Sequence, residues 1–80
     1  MSNFIVHTES TIAQRMEQIV AKYVAHGYND LYLYTIISSI CDSAVMNDGY
    51  ISYWDICYIS SKYEISMNTI NHIIAELFHD

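Results

Sequence analysis

The stretch Ile56–Leu77, ICYISSKYEISMNTINHIIAEL, contains two short amphipathic helical patterns separated by Glu64-Ile65-Ser66. In the first pattern, side chains spaced by about one helical turn share one face: Ile56, Ile59, Ser60 and Tyr63. In the second pattern, the shared face is formed by Ile70, Ile73, Ile74 and Leu77. Because residues at this spacing lie on one side of a helix, we expect the two faces to close on a common core.

The residues between the two patterns suit a tight connection of two helices. Ile65 is expected to bury an apolar side chain in the turn, and Ser66 to cap the second helix with its hydroxyl. The stretch resembles the helix-turn-helix superfamily at its small, turn and apolar positions: Ser60, Ile65, Ser66, Thr69, Ile70 and Ile73. It departs from that family at Glu64, where a glycine in a left-handed conformation is usual. The resemblance implies a helix-turn-helix within residues 53–78.

The whole chain predicts an all-α bundle of about four short helices. Eighty residues allow one domain with one modest core. The helices are expected over Thr11 to His26, Asp30 to Val45, Tyr53 to Tyr63 and Met67 to Phe78. Residues 1–10 contain the apolar run Phe4-Ile5-Val6, which we interpret as an N-terminal arm because no second β-branched run offers a strand partner.

Capping residues predict where these helices begin and end, and helical spacing predicts which side chains form the core. Gly27 is expected to end the first helix, Asn29 or Asp30 to cap the second, and Ser52 with Asp55 to cap the third. The side chains expected to be largely buried are Ile19, Tyr23, Ile36, Ile40, Ile56, Ile70, Ile73 and Leu77.

The formal charge of −6 is concentrated after residue 28. Two basic and two acidic side chains cancel within residues 1–28. Residues 29–80 contain Lys62 against seven carboxylates: Asp30, Asp42, Asp48, Asp55, Glu64, Glu76 and Asp80. Such a field repels phosphate backbones and anionic membranes, and it attracts basic protein surfaces.

The cysteines and the terminus predict a cytoplasmic protein, in the host cytoplasm if the chain is viral. Cys41 and Cys57 have apolar neighbours and are expected to be buried free thiols, which fits a reducing compartment better than a disulfide does. The N-terminus lacks the basic start and long apolar run of a signal peptide. The segment from Asp30 to Val45 is too short and too interrupted to span a bilayer.

Motifs for metal binding and catalysis are incomplete. The segment from Asp48 to Ser52, with Asp55, resembles the second half of an EF-hand loop, but Ala44 and Met46 stand where two oxygen ligands are needed. No histidine lies three or four residues from another histidine or cysteine. No nucleophile turn or phosphate loop occurs. We therefore expect no metal, no cofactor and no enzymatic activity.

The remaining functions are binding to nucleic acid and binding to protein, and the acidic charge of the chain favours a protein partner. If the last helix entered a major groove, its exposed positions would be Met67, Asn68, Asn71, His72 and Ala75. Asparagine can read adenine, but phosphate contacts need lysine and arginine, and this half of the chain has only Lys62.

The predicted partner-binding surface combines carboxylates with tyrosines: Asp42, Asp48, Tyr50, Tyr53, Asp55, Tyr58 and Glu64. The carboxylates would steer a basic partner, and the tyrosines would supply contact area. The simpler reading of the same residues is a solvated acidic surface that keeps the protein soluble.

We therefore expect a small acidic module that modulates or inhibits a nucleic-acid-handling protein, including by mimicking nucleic acid. Compact acidic chains without catalytic motifs resemble virus-encoded inhibitors or transcription modulators in general character. The alternative is a dimeric helix-turn-helix DNA-binding transcription regulator. A structural module that forms a homodimer along the apolar second helix is a third reading.

Overall fold

Four helices form the bundle in the computed structural model, which describes the backbone of residues 2–78 and the side chains of residues 11–78. They are α1 (Ser2–Val24), α2 (Asp30–Met46), α3 (Tyr53–Tyr63) and α4 (Met67–Phe78). Within residues 2–78 there is no strand, so the predicted all-α class is confirmed. The bounds of α3 and α4 are those predicted, and α2 ends one residue later than predicted.

The N-terminal segment differs from the prediction. The arm expected over residues 1–10 is wrong for residues 2–10, because the helix begins at Ser2 and continues without a break to Val24. No glycine or proline interrupts Ser2 to Ser10. Once a helix has nucleated, each further residue adds one backbone hydrogen bond, so a segment without a breaker is readily absorbed into it.

The end of α1 confirms the predicted role of Gly27. Gly27 has a positive φ of 99°, its N–H donates to the Val24 carbonyl at 3.0 Å, and the Tyr28 N–H donates to the Tyr23 carbonyl at 3.1 Å. These two bonds form a Schellman motif. The apolar contact that usually accompanies the motif is an edge-on pair of rings, Tyr23 and Tyr28, with centroids 5.5 Å apart. The motif turns the chain sharply into α2, whose cap is the Asn29 side chain accepting from the Tyr32 N–H.

At two other helix ends, a residue other than glycine adopts the left-handed backbone conformation. Asp48 follows α2 with φ 55°, and Glu64 follows α3 with φ 53°. Beyond Glu64 the Ile65 N–H donates back to the Ser60 carbonyl at 3.2 Å, which closes the end of α3. Glu64 therefore adopts the conformation that a glycine would take there at lower cost, because a side chain crowds the backbone in this region.

Replacing Glu64 with glycine should stabilise the fold by about 0.5–1 kcal/mol, since it relieves left-handed strain at the end of α3. Urea denaturation would measure the change. The control is Ser61→Gly, an exposed position inside α3, which should destabilise by about the same amount because glycine weakens a helix interior. Destabilisation by Glu64→Gly would contradict the account of this turn.

The helices pack as a closed ring, in which α1 contacts α2 and α4, and α3 also contacts α2 and α4. The central space is filled by buried apolar side chains: Ile19, Val20, Leu33, Ile36, Ile37, Ile40, Ile59, Ile65, Ile70, Ile73 and Leu77. The predicted core is confirmed except at Tyr23 and Ile56, which are half-buried and pack against it. Ile65 is buried in the α3–α4 turn, as predicted.

Polar contacts lock α3 in position beside this core. The Tyr32 hydroxyl donates to the Tyr63 carbonyl, and the two rings meet edge to face with centroids 6.5 Å apart. The Ser60 hydroxyl donates to the Ile65 carbonyl at 2.6 Å. At the start of α4, the Thr69 N–H donates to the Ser66 hydroxyl at 3.1 Å, which confirms the predicted cap. These bonds hold the α3–α4 turn and the end of α3 against α2.

Candidate functional site

The α2–α3 connection brings part of the predicted partner-binding set to one end of the molecule. Asp48 and Tyr50 lie in the connection, and Tyr53 opens α3; all three side chains are exposed. Tyr58 is also exposed, about one and a half turns further along α3. Asp42 is exposed one turn before the end of α2. These five residues are therefore accessible, and Asp48, Tyr50 and Tyr53 are close along the chain.

Asn47 joins the two sides of this connection. Its side-chain N–H donates to the Ser43 carbonyl at 2.9 Å and to Asp55 Oδ2 at 3.3 Å. The first bond belongs to the end of α2, and the second reaches the first turn of α3. The ends of the two helices are consequently held side by side rather than splayed apart.

Asp55 has a structural position that the predicted surface did not account for. Its Oδ2 accepts from the Ser52 N–H at 3.2 Å and from the Ser52 hydroxyl at 3.0 Å, while the Asp55 N–H donates to the Ser52 hydroxyl at 3.1 Å. This reciprocal arrangement is the capping box expected from the sequence. With Asn47 as a further donor, the half-buried carboxylate is largely occupied within the chain.

Glu64 lies away from the rest of the predicted surface. It follows the last turn of α3, so the length of that helix, roughly 15 Å, separates it from Tyr53. Its side chain is exposed, but its backbone conformation ends α3. The predicted set therefore divides into an accessible group near the α2–α3 connection and two residues with structural positions, Asp55 and Glu64. Asp48 belongs to the accessible group, although its left-handed backbone also follows the end of α2.

Three exposed apolar side chains adjoin this group and were missed by the sequence reasoning. Trp54 is 77% exposed, Val45 is 79% exposed and Met46 is 84% exposed. A signal for Trp54 existed, because two residues along a helix turn the side chain by about 200°, which places it opposite the inward-facing Ile56. Trp54 is neither a carboxylate nor a tyrosine, so the predicted surface did not include it.

The basic side chains are engaged with other groups of the chain. Arg15 Nη1 donates to the Leu77 carbonyl at 3.0 Å, at the C-terminal end of α4. Lys22 Nζ donates to Glu76 Oε1 in a 2.5 Å ion pair, and this hydrogen bond to the carboxylate raises the pKa of Lys22. These two contacts join α1 to α4 across a shallow groove that also includes Gln18 and Ala75.

Lys62, the third basic residue, lies over two aromatic rings. Its Nζ is 5.6 Å from the Tyr58 ring centroid and 5.4 Å from the Tyr63 ring centroid. Electrostatic interaction with Tyr58 is the main cause of a raised pKa of Lys62. The lysine therefore keeps its charge, and it covers the end of the exposed face of α3 beyond Tyr58.

The outward face of α4 carries the side chains that the sequence reasoning placed in a major groove. Asn68, Asn71, His72 and Ala75 are exposed, whereas Met67 is half-buried. No lysine or arginine belongs to α4. The face presents amides and an imidazole but no cation of its own for phosphate contacts.

The cysteines are free thiols, but both are half-buried rather than fully buried. Burial, with a smaller contribution from neighbouring Asp42, raises the pKa of the Cys41 thiol. Interaction with the neighbouring Cys57 thiol is the main cause of a raised pKa of the Tyr53 hydroxyl. Cys41 is therefore a weak nucleophile at neutral pH, because the thiol rather than the thiolate predominates.

Metal-binding geometry is absent from the part of the chain whose side chains are described, where no three histidine, cysteine, aspartate or glutamate residues converge. His7 and His79 lie outside that part. In the segment resembling a calcium loop, Asp55 is turned towards Ser52 and Asn47 by the capping box.

Comparison with protein-family models, curated proteins and solved structures gives no match to this chain. None of the helices within residues 2–78 combines the length and the apolar character needed to cross a bilayer.

Proposed function

We propose that this chain is a non-enzymatic protein-binding module of the cytoplasm that modulates or inhibits a nucleic-acid-handling protein. The observation that carries the proposal is the imbalance between its charged groups. Arg15, Lys22 and Lys62 are all engaged within the chain, whereas Asp42 and Asp48 are exposed and form no ion pair among the described side chains. The exterior available to a partner is therefore acidic.

The chemistry of this exterior favours a partner with a basic surface. Exposed carboxylates accelerate encounter with cations and repel phosphate backbones. Tyr50, Tyr53 and Tyr58 add contact area and hydroxyl groups while losing little side-chain entropy on binding. Proteins that handle nucleic acid carry basic grooves, so an acidic module that occupies such a groove competes with the nucleic acid as a mimic.

A capture experiment from the natural host tests this function. We expect the immobilised chain to retain a protein that added duplex DNA displaces, because both ligands compete for one basic groove. The double variant Asp42→Lys, Asp48→Lys should retain about tenfold less of it, with a weaker dependence on salt. A matched control, Glu17→Lys, adds a positive charge on the exposed side of α1 and should retain the protein nearly as well. A captured protein that neither DNA nor the charge reversal affects would contradict the proposal.

The alternative function, a dimeric helix-turn-helix DNA-binding transcription regulator, is favoured by one observation, the exposed Asn68, Asn71 and His72 on α4. Against it stands the lack of unengaged lysine and arginine for phosphate contacts. We expect no measurable binding to labelled duplex DNA near physiological salt. Submicromolar affinity for any duplex at that salt would replace the proposed function by this alternative.

A further inference from the structure

Large apolar side chains cover the end of the molecule where α2 passes into α3. Five of them are more than half exposed: Val45 79%, Met46 84%, Tyr50 66%, Tyr53 62% and Trp54 77%. These five residues are called the apolar patch below. They lie within ten consecutive residues, and none of them belongs to the buried core.

The contacts beneath the apolar patch show that its two halves adjoin. Asn47 donates to Asp55 at 3.3 Å, and these two residues directly follow Met46 and Trp54 in the chain. The last turn of α2 and the first turn of α3 are therefore side by side. Within the second half, the rings of Tyr53 and Trp54 meet edge to face with centroids 5.7 Å apart.

The apolar patch is as large as the apolar surfaces that often serve as binding sites. A free aromatic side chain presents roughly 150–250 Å², so the three aromatic residues of the patch at these exposures present roughly 300–500 Å², and Val45 and Met46 add to this area. The largest apolar patch on a typical monomer is about 300–600 Å² and is often a binding surface. One tryptophan among several tyrosines is also the composition of interface anchors.

The acidic residues around the apolar patch indicate the kind of partner that binds it. No lysine or arginine occurs from Val24 to Ser61, which includes all of α2, the connection and most of α3. Asp42 lies one turn before Met46 on α2, and Asp48 lies in the connection, both exposed. A second copy seated on the apolar patch would bring two acidic surfaces together, because Asp42 and Asp48 flank the patch on both copies, and like charges repel. A partner with cations beside its apolar side chains has the complementary arrangement.

We propose that the apolar patch binds an amphipathic, basic helix of the partner protein, with Trp54 as the anchor. The aliphatic face of that helix covers Trp54, Val45 and Met46, and its lysine or arginine side chains reach Asp42 and Asp48. This inference rests on the proposed function and specifies the structural element that is recognised. Helices with an apolar stripe flanked by cations are a recurrent ligand for apolar surfaces with an acidic rim.

A designed peptide tests the recognition directly, with the single tryptophan as its reporter. The probe is a helical peptide of about 18 residues with leucine on one face and lysine on the other. Saturable binding should shift the emission of Trp54 to shorter wavelength, because the indole leaves water. Two comparison peptides replace either all leucines by serine or all lysines by glutamate, and both should bind at least about tenfold more weakly.

Variants of the chain locate the binding site by anisotropy of the labelled leucine-lysine peptide. Trp54→Ala should weaken binding by about tenfold or more, and Val45→Ala by a smaller factor. The matched control is Leu31→Ala, since Leu31 is 73% exposed on α2 but lies about 20 Å along that helix from Val45. It should change binding by less than about twofold. Circular dichroism verifies that each variant keeps the helical fold.

Several outcomes would overturn the inference. If the serine peptide binds as tightly as the leucine peptide, or if Trp54→Ala and Leu31→Ala act alike, the carboxylates alone recognise basic partners and the proposed function stands. If none of the peptides binds, the inference is wrong, and the capture experiment still tests the proposed function independently. An emission shift that depends on the concentration of the chain alone assigns the patch to a second copy. The same shift with phosphatidylcholine vesicles assigns it to a lipid surface.

Discussion

Replacing Ile73 with alanine should lower the free energy of unfolding by about 2–5 kcal/mol. The Ile73 side chain is fully buried in α4, among the side chains that fill the ring of helices. Its truncation removes apolar contacts and leaves a cavity that rigid neighbouring helices close only in part. The expected stability of a chain of this length is roughly 4–12 kcal/mol, so this single change removes a large share of it.

Urea and thermal denaturation followed by circular dichroism would measure this loss. The matched control is Ile74→Ala, which makes the same change one residue further along α4 at a half-buried position. Its cost should be clearly smaller, because water already reaches part of that side chain. Equal midpoints for wild type and Ile73→Ala, or equal losses at both positions, would mean that α4 faces the core with a different side.

Replacing Asp55 with alanine should destabilise the fold by about 1–2 kcal/mol. The carboxylate accepts from the Ser52 N–H, the Ser52 hydroxyl and the Asn47 side chain, so its loss removes the cap of α3 and the bond that joins α3 to α2. Hydrogen bonds to a charged acceptor are stronger than those between neutral groups, so loss of this carboxylate destabilises the fold more than loss of an ordinary surface side chain does.

The comparison for Asp55→Ala is Asp42→Ala, which removes an exposed carboxylate without a hydrogen-bond partner among the described side chains. Its stability should change by less than about 0.5 kcal/mol, whereas binding of a basic partner should weaken. Asp55→Ala is thus expected to affect mainly the stability of the fold, and Asp42→Ala mainly the binding of a partner. If Asp55→Ala retains full stability and loses partner binding, Asp55 belongs to the contact surface after all.

The fold was largely predictable because local signals agreed with one another. Ser52, Ser66 and Gly27 each stop or start a helix by a hydrogen bond that the sequence already implies. The core followed from helical spacing, because the isoleucines of α3 and α4 recur at intervals that only one face of a helix can satisfy. The arm was wrong because a short apolar run carries no intrinsic preference between strand and helix.

The candidate site was less predictable, since composition does not reveal which groups are already engaged. Asp55 was expected both to cap α3 and to contact a partner. Its hydrogen bonds with Ser52 and Asn47 show that the first role occupies its carboxylate. The exposure of Trp54 followed from the predicted inner face of α3, but the predicted surface included only carboxylates and tyrosines.

The contact of α1 with α4 has a consequence for the order in which the chain assembles. Three of the four helix pairs join neighbours in sequence, and short connections let such pairs form quickly. The pair α1–α4 joins opposite ends of the chain, with Lys22 and Glu76 separated by 54 positions. Loop-closure entropy grows with the logarithm of loop length, so this contact has the highest entropic cost of the four in an unfolded chain. We therefore expect the α1–α4 contact to form last, so that Ile70 and Ile73 of α4 lack their α1 neighbours until the other three helix pairs have formed.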